Sequence, residues 1–212
     1  MSKSVYSLLL NDEVVELVDK MARINGMSRS NMIEKILADT LRYETPEIRA
    51  NNIFSEIERI LSRSNSMRYL EQPSSYMASI MSALQYRYNP AIRYSVELFP
   101  KSAHLGQLKV TLRTQNASLI EHMSDFYSLY ALLEKKYYNP DSRHMFDGAK
   151  LTRLFTFPKV QMTASELAEH LTKYVKDFDE LLSLYFSNVT NPNCFHLVER
   201  RFFELKQNTI VI

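Results

Sequence analysis

Six side chains in this sequence are histidines or cysteines, the common ligands of transition metals, and their spacing decides whether they form a site. They are His104, His122, His144, His170, Cys194 and His196. Cys194 and His196 stand two positions apart and would chelate a metal only if that stretch were extended. No pair has the separation of three or four residues that places two ligands on one face of a helix. The spacing therefore predicts no metal site and no cofactor.

Aromatic side chains in the second half of the chain could instead line a pocket for a small-molecule effector. The candidates are Tyr127, Tyr130, Tyr137, Tyr138, Phe155 and Phe157. A tyrosine combines an apolar ring with a hydroxyl group, which suits ligand binding. Most of these residues follow helical spacing, however, and such a stripe more often packs into a core or a dimer seam. Both interpretations stay open, and the spacing favours the core.

Motifs that would indicate an enzyme do not occur in this sequence. Neither Gly-x-Ser-x-Gly nor HExxH is present. The chain contains only three glycines, which leaves no glycine-rich loop for binding phosphate. We therefore expect a protein that is not an enzyme.

Composition favours a globular protein of the cytoplasm. The chain of 212 residues is 45% hydrophobic and 24% charged, which is ordinary for a globular domain. Its single cysteine cannot form an internal disulfide, and this fits a reducing compartment. The sequence has no run of about eighteen apolar residues and no leader pattern, so we expect neither membrane insertion nor secretion.

The beginning of the chain predicts one short strand over residues 4–10. Side chains alternate between the two faces of a strand, so Tyr6, Leu8 and Leu10 share one face. Val5, Ser7 and Leu9 share the other face. A lone strand leaves its backbone hydrogen-bonding groups unpaired at both edges. This strand therefore needs a partner.

Two helices are predicted directly after the strand, over residues 12–25 and 28–43. Apolar residues recur at helical spacing in both segments. Asn11 is a suitable N-cap for the first helix, and Ser28 for the second. Gly26 can take the left-handed conformation that ends a helix. A unit this small cannot bury a core alone, whereas two copies could pair their strands over four helices.

This order of elements resembles the ribbon-helix-helix family of bacterial DNA-binding proteins, the MetJ, Arc and CopG group. The resemblance covers about residues 3–43. It is carried by the strand, by Asn11-Asp12-Glu13 and by the run Gly26-Met27-Ser28-Arg29-Ser30-Asn31-Met32-Ile33. The resemblance implies an intertwined homodimer in which the two strands form one antiparallel ribbon.

The resemblance also implies how DNA would be bound. In the family the ribbon enters the major groove, and the start of the second helix binds a phosphate. The implied DNA-binding residues are Lys3, Val5, Ser7, Leu9, Ser28, Arg29 and Ser30. The groove-facing positions are usually polar or cationic in the family, whereas Val5 and Leu9 are apolar here. These two could contact thymine methyl groups, which leaves Ser7 as the hydrogen-bonding residue of each strand.

Charge does not by itself indicate a nucleic-acid-binding segment. Residues 1–44 contain six basic side chains, Lys3, Lys20, Arg23, Arg29, Lys35 and Arg42, and seven acidic ones, Asp12, Glu13, Glu16, Asp19, Glu34, Asp39 and Glu44. DNA-binding segments usually carry a basic surplus. Any positive field must therefore be local, and a ribbon that only dimerises stays an alternative.

The rest of the chain predicts a larger α+β domain with a small antiparallel sheet. Thr45-Pro46 marks the end of the second helix, so we expect domains at 1–45 and 46–212. Helices are predicted near residues 53–61, 77–84, 117–138, 165–188 and 194–205. Strands are predicted near residues 92–98, 108–112 and 150–157, and residues 62–75 are predicted to be a loop.

These patterns favour a sequence-specific transcriptional regulator, most simply a repressor, that binds double-stranded DNA as a homodimer or a higher oligomer. One alternative is a structural protein whose ribbon serves only for dimerisation. Another, again by resemblance, is a plasmid or phage partition or antitoxin factor. The larger domain would add oligomerisation or the sensing of a ligand.

Overall fold

A computed structural model describes residues 5–41, 43–70, 74–207 and 209–212 of this chain. The chain divides into two compact units, Met1–Arg49 and Ala50–Ile212. Among the described residues, no helix is both long enough and apolar enough to cross a membrane.

The smaller unit contains two helices, α1 Asp12–Ile24 and α2 Arg29–Thr40. The Asn11 side chain caps α1 by accepting from the backbone N–H of Glu13, 2.9 Å away. Gly26 between the helices has a φ of +63°, in the left-handed region that favours glycine. Both predicted helices are confirmed. Residues 5–10 adopt neither helix nor strand in the single chain, so the ribbon stays a prediction.

Along the rest of the chain, four strands follow the third helix, and two more strands lie between the fourth and fifth helices. The elements of this part are α3 Pro46–Leu61, β1 Met67–Tyr69, β2 Met77–Ala83, β3 Ala91–Leu98, β4 Gly106–Leu112, α4 Ala117–Tyr137, β5 Arg143–Asp147, β6 Lys150–Phe155, α5 Ala164–Ser187 and α6 Cys194–Lys206. The six strands form one sheet in the order β1-β2-β3-β4-β6-β5, and every neighbouring pair is antiparallel. The predicted α+β class is confirmed.

The centre of the sheet follows the alternation that the sequence predicts. On β3, Ile92, Tyr94 and Val96 are fully buried, while Arg93 is exposed and Ser95 and Glu97 are half-buried. On β4, Leu108 and Val110 are buried in the same way. In register, Tyr94 lies opposite Val110. One face of the sheet, the inner face, is therefore apolar, and the other, the outer face, is polar.

Helices α4, α5 and α6 contribute their apolar faces to the core that includes the inner face. Phe178 of α5 lies 6.0 Å from Tyr94 of the sheet and 5.4 Å from Phe126 of α4, measured between ring centroids. The α5 helix begins with a capping box, in which Thr163 and Glu166 each accept from the other's backbone N–H. These contacts join the helices and the sheet in one core.

Three predictions for the larger domain are wrong. Residues 77–84 form strand β2 rather than a helix, because β2 pairs with a neighbour on each side and Ala78, Ile80 and Ser82 alternate inward. The predicted loop 62–75 contains β1, which adds an edge strand beside β2. The third error is the omission of β5, which forms a hairpin with β6. In each case strand pairing outweighs a short local pattern.

Candidate nucleic-acid interface

The start of α2 presents backbone N–H groups that the helix itself does not use. Ser28 is the N-cap, and its hydroxyl oxygen accepts from the N–H of Asn31 at 3.3 Å. Within the part of the chain that the structure describes, the N–H groups of Arg29 and Ser30 have no acceptor. Such first-turn amides lie at the positive end of the helix dipole. The arrangement is chemically suited to an anionic group.

Arg29 forms an ion pair with Asp19 of the same unit. Its Nε and Nη2 atoms donate to the two carboxylate oxygens of Asp19, at 2.7 and 2.6 Å. This hydrogen bond and the guanidinium charge hold the pKa of Asp19 below its usual range. The pair joins the start of α2 to α1. A phosphate would have to share the guanidinium group with Asp19, which the sequence alone does not reveal.

The groove-facing positions of the predicted ribbon lie on a solvent-exposed segment. Val5 and Leu9 are almost fully exposed, and Ser7 is exposed between them. Lys3 lies outside the described residues. Ser30 is exposed in the first turn of α2, next to the Ser28 cap. The structure therefore places Ser28, Arg29 and Ser30 together, and it places Val5, Ser7 and Leu9 on an accessible strand-length segment.

The apolar residues that should form the core of the smaller unit are mostly exposed in the single chain. On the predicted inner face of the segment, Tyr6 is 82% and Leu8 is 63% exposed. Among the described residues, the apolar cluster between α1 and α2 contains Val18, Ala22 and Met32, which are 8%, 4% and 3% exposed. Other large apolar side chains at exposed positions of this unit are Leu10, Val14, Leu17, Met21, Ile24, Leu37, Leu41 and Tyr43. Exposed apolar surface of this extent is typical of an interaction surface.

The larger unit contains a second feature, a buried ionic cluster around Glu134 of α4. Arg153 of β6 donates from Nε and Nη2 to Glu134 Oε1, at 2.9 and 2.5 Å. The other carboxylate oxygen, Oε2, accepts from the Tyr174 hydroxyl at 2.8 Å and lies 2.6 Å from His144 Nε2. Glu134 and Arg153 are fully buried. The cluster therefore ties α4, α5, β5 and β6 together.

Opposing effects set the ionisation of this cluster. Burial raises the pKa of Glu134, but the nearby Arg153 charge and the His144 hydrogen bond outweigh burial and lower it to about 2. Burial likewise works against the charged form of Arg153, yet Tyr174 and Glu134 raise its pKa. The carboxylate and the guanidinium are both charged at neutral pH. Their charges compensate each other inside the core, which makes the pair a structural element.

The sequence contains a signal for this cluster that lies outside the known catalytic and binding motifs. Glu134 follows Tyr130 by four residues, so it occupies the buried face of α4. Arg153 alternates with Leu151 and Phe155 on the buried face of β6. A charged residue at an apolar position of each element indicates a buried pair, although only the fold shows that the two meet.

The aromatic residues considered for a ligand pocket belong mainly to the core. Tyr127, Tyr130 and Phe155 are fully buried, and Tyr138 is 8% exposed. Tyr130 lies 4.6 Å from Phe178 between ring centroids. Phe157 is instead exposed. The core interpretation is confirmed for the four buried residues.

Cys194 and His196 do not meet the condition for chelation. Cys194 is the first residue of helix α6, not part of an extended stretch, and its buried thiol donates to the Tyr185 carbonyl oxygen at 3.6 Å. His196 is exposed. Across the described ranges, no three His, Cys, Asp or Glu side chains are placed to hold a metal ion.

Comparisons of this chain with protein-family models, with curated proteins and with solved structures find no match.

Proposed function

We propose that this chain is a homodimeric DNA-binding protein that regulates transcription, with residues 4–10 of two copies paired as a ribbon. The observation that carries the proposal is the exposed apolar surface of the smaller unit. Tyr6, Leu8 and Leu10 stand at alternate positions of a segment with unpaired backbone groups. A second copy would pair the backbone and cover the same side chains.

The helices of the smaller unit support the same arrangement. Leu17 and Met21 are exposed on α1, beside the buried Val18 and Ala22. Part of the apolar face of α1 is therefore left uncovered by α2. On α2, Leu37 is exposed in the same way. Burying these side chains against a second copy would stabilise the dimer by the hydrophobic effect, at about 25 cal/mol per Å² of apolar surface.

DNA recognition in this proposal combines a phosphate contact with a base contact. The N–H groups of Arg29 and Ser30 at the start of α2 would bind a backbone phosphate, as the family resemblance implies. Ser7 would hydrogen-bond base edges in the major groove, and Val5 and Leu9 would contact thymine methyl groups. Such an interface forms few hydrogen bonds to base edges and relies on thymine methyl groups. We therefore propose binding sites that are rich in A·T pairs and consist of two half-sites.

A second function, dimerisation without DNA binding, has its own support. Val5 and Leu9 cannot donate or accept a hydrogen bond from their side chains. The guanidinium group of Arg29 is already paired with Asp19. The smaller unit would then join two copies while the larger unit binds another protein. The two functions differ in whether the dimer selects DNA sequences.

The ribbon is tested by Leu8→Asp with Leu9→Asp as its matched control, because these neighbours lie on opposite ribbon faces. Sedimentation equilibrium measures the association of subunits. We expect Leu8→Asp to be monomeric at concentrations where the wild type and Leu9→Asp are dimeric, since the shared core cannot accept an unpaired carboxylate. Equal association of all three proteins would refute the ribbon.

DNA recognition is tested by selecting duplexes from a random library with the dimeric wild type. We expect enrichment of a site with two related halves. Ser7→Ala should change the preferred bases, whereas Arg29→Ala should weaken binding to all sequences alike. A dimer that enriches no sequence would support dimerisation alone and overturn sequence-specific binding.

A further inference from the structure

The outer face of the sheet carries a row of basic side chains across its strands. Arg68 of β1 lies opposite Met81 of β2, which lies opposite Arg93 of β3. The same row continues through Thr111 of β4 to Lys150 of β6. Arg68, Arg93 and Lys150 are all exposed. Since neighbouring strands are about 4.8 Å apart, the backbone positions of successive cations are about 10 Å apart, and the row from Arg68 to Lys150 is about 19 Å long.

A fourth cation lies beside this row, two residues beyond Thr111 along the chain. Arg113 directly follows β4 and is exposed. It lines a shallow depression in the surface together with Thr111, Thr114 and Lys150. We call the surface formed by Arg68, Arg93, Arg113 and Lys150 the basic face.

Carboxylates do not neutralise the basic face. Of the acidic residues on the outer face, Glu97 is already paired with Lys109, at 2.8 Å. Asp147 lies opposite Lys150 in register, and among the ion pairs of the described residues none joins these two side chains. Within the described ranges, none of the four cations of the basic face forms a salt bridge. Four unpaired cations on one open surface produce a positive potential that favours a polyanion.

We propose that the basic face binds the phosphate backbone of double-stranded DNA. The spacing of about 10 Å lets long arginine and lysine side chains reach separate phosphates on a duplex, whose grooves are about 6 and 12 Å wide. No Phe, Tyr or Trp stands at an outer-face position of the six strands. Single-stranded nucleic acids are bound largely by stacking bases on such rings, so the face fits a duplex backbone better.

The inference goes beyond the proposed function because it assigns DNA binding to the larger unit and does not depend on the ribbon. It also accounts for the distribution of charge. The chain as a whole has a net charge of +2, while residues 1–44 have six basic and seven acidic side chains. The positive surplus therefore lies after residue 44. Contacts between the basic face and DNA phosphates would position the protein on DNA without reading the base sequence.

The test is a full-length variant that combines Arg68→Gln, Arg93→Gln and Arg113→Gln. Its matched control combines Lys101→Gln, Lys135→Gln and Lys159→Gln, which removes the same charge from three exposed positions away from the basic face. Fluorescence anisotropy measures the affinity of each protein for a duplex of arbitrary sequence between 50 and 200 mM salt. Circular dichroism and thermal melting check that both variants fold.

We expect the basic-face variant to bind the duplex more weakly and with a smaller salt dependence than the control. Each phosphate contact contributes about 0.9 to the slope of log affinity against log salt concentration. Three lost contacts should therefore lower the slope by about 2.7. Over this fourfold range of salt, the wild type should lose about 40-fold more affinity than the variant.

Other outcomes separate this inference from the proposed function. Equal slopes for the basic-face variant and the control would overturn the inference, even if a selected site still binds through the ribbon. A smaller salt slope in the basic-face variant, for a wild type that enriches no sequence, would support the basic face independently of the proposed function. Tighter binding to phosphatidylserine vesicles or to single-stranded RNA than to the duplex would also overturn it.

Discussion

Replacing Arg153 with methionine would leave the buried carboxylate of Glu134 without its main counter-charge. The guanidinium group donates two hydrogen bonds to Glu134 Oε1, and both side chains are fully buried. Methionine keeps an unbranched apolar side chain in place of the Arg153 methylene groups and removes the guanidinium group with its charge and its donors. Breaking a buried ion pair by removing one partner costs about 3–5 kcal/mol of the free energy of unfolding.

The ionisation of Glu134 supports the same magnitude. Its pKa falls from the ordinary 4.5 to about 2 in the folded chain. One pKa unit corresponds to about 1.4 kcal/mol, so the ionised form stabilises the fold by about 3 kcal/mol. Because the folded pKa is lowered, this stabilisation is present above about pH 4.5 and is lost as the pH falls towards 2.

The variant should show a different dependence on pH. Without Arg153, burial acts on Glu134 with less opposition, so we expect the pKa of Glu134 to rise. When a carboxyl group has a pKa that is higher in the folded than in the unfolded chain, its ionisation lowers the stability of the fold. The gap in stability between the wild type and Arg153→Met should therefore be largest at neutral pH, and it should narrow as the pH falls from the raised pKa of Glu134 in the variant towards 2.

Urea unfolding followed by tyrosine near-ultraviolet circular dichroism measures these differences, since Tyr130 and Tyr174 lie in the core beside the cluster. The double variant Glu134→Gln with Arg153→Met removes both charges and keeps an acceptor for the Tyr174 hydroxyl. It should recover most of the lost stability. The control Arg200→Met removes an exposed partner of Glu204 and should leave the midpoint unchanged. A loss below about 1 kcal/mol in Arg153→Met, or no recovery in the double variant, would show that Arg153 does not stabilise the fold by pairing with Glu134.

Two further positions test the packing and the polar contacts of the sheet. A Cβ atom at Gly106 would lie 2.0 Å from the Glu97 carbonyl oxygen, so Gly106→Ala should lower stability by about 1–3 kcal/mol in urea unfolding; unchanged stability would contradict this close approach. Burial raises the pKa of Asp179, against hydrogen bonds from Ser82 and Tyr94, so its ionisation destabilises the fold. Asp179→Asn should therefore raise the melting temperature at pH 7 and have little effect near pH 3. A lower melting temperature at pH 7 would show instead that the ionised Asp179 stabilises the fold.

Elements with long periodic patterns and clear caps were predictable from the sequence. The helices α4 and α5 repeat apolar residues over five or more turns, and the Thr163 capping box marks the start of α5. The alternation on β3 and β4 likewise predicted their buried faces and their antiparallel pairing. In these segments the periodicity of neighbouring residues is enough to predict the element and its buried face, because helix and strand periods are local properties.

Contacts between residues distant in the chain were decided only by the tertiary structure. β2 became a strand because β1 and β3 pair with its two edges, although its apolar spacing also fits a helix. Glu134 and Arg153 are separated by 19 positions and meet only when β6 packs beside α4. The basic face similarly gathers Arg68, Arg93 and Lys150 from three strands by register alone.

The sequence alone predicts the two N-terminal helices and their caps. It did not determine that Arg29 would be paired with Asp19, because that contact depends on how α1 and α2 pack. Local periodicity and capping are set within a few residues, whereas ion pairs and strand neighbours depend on where distant segments meet in the folded chain.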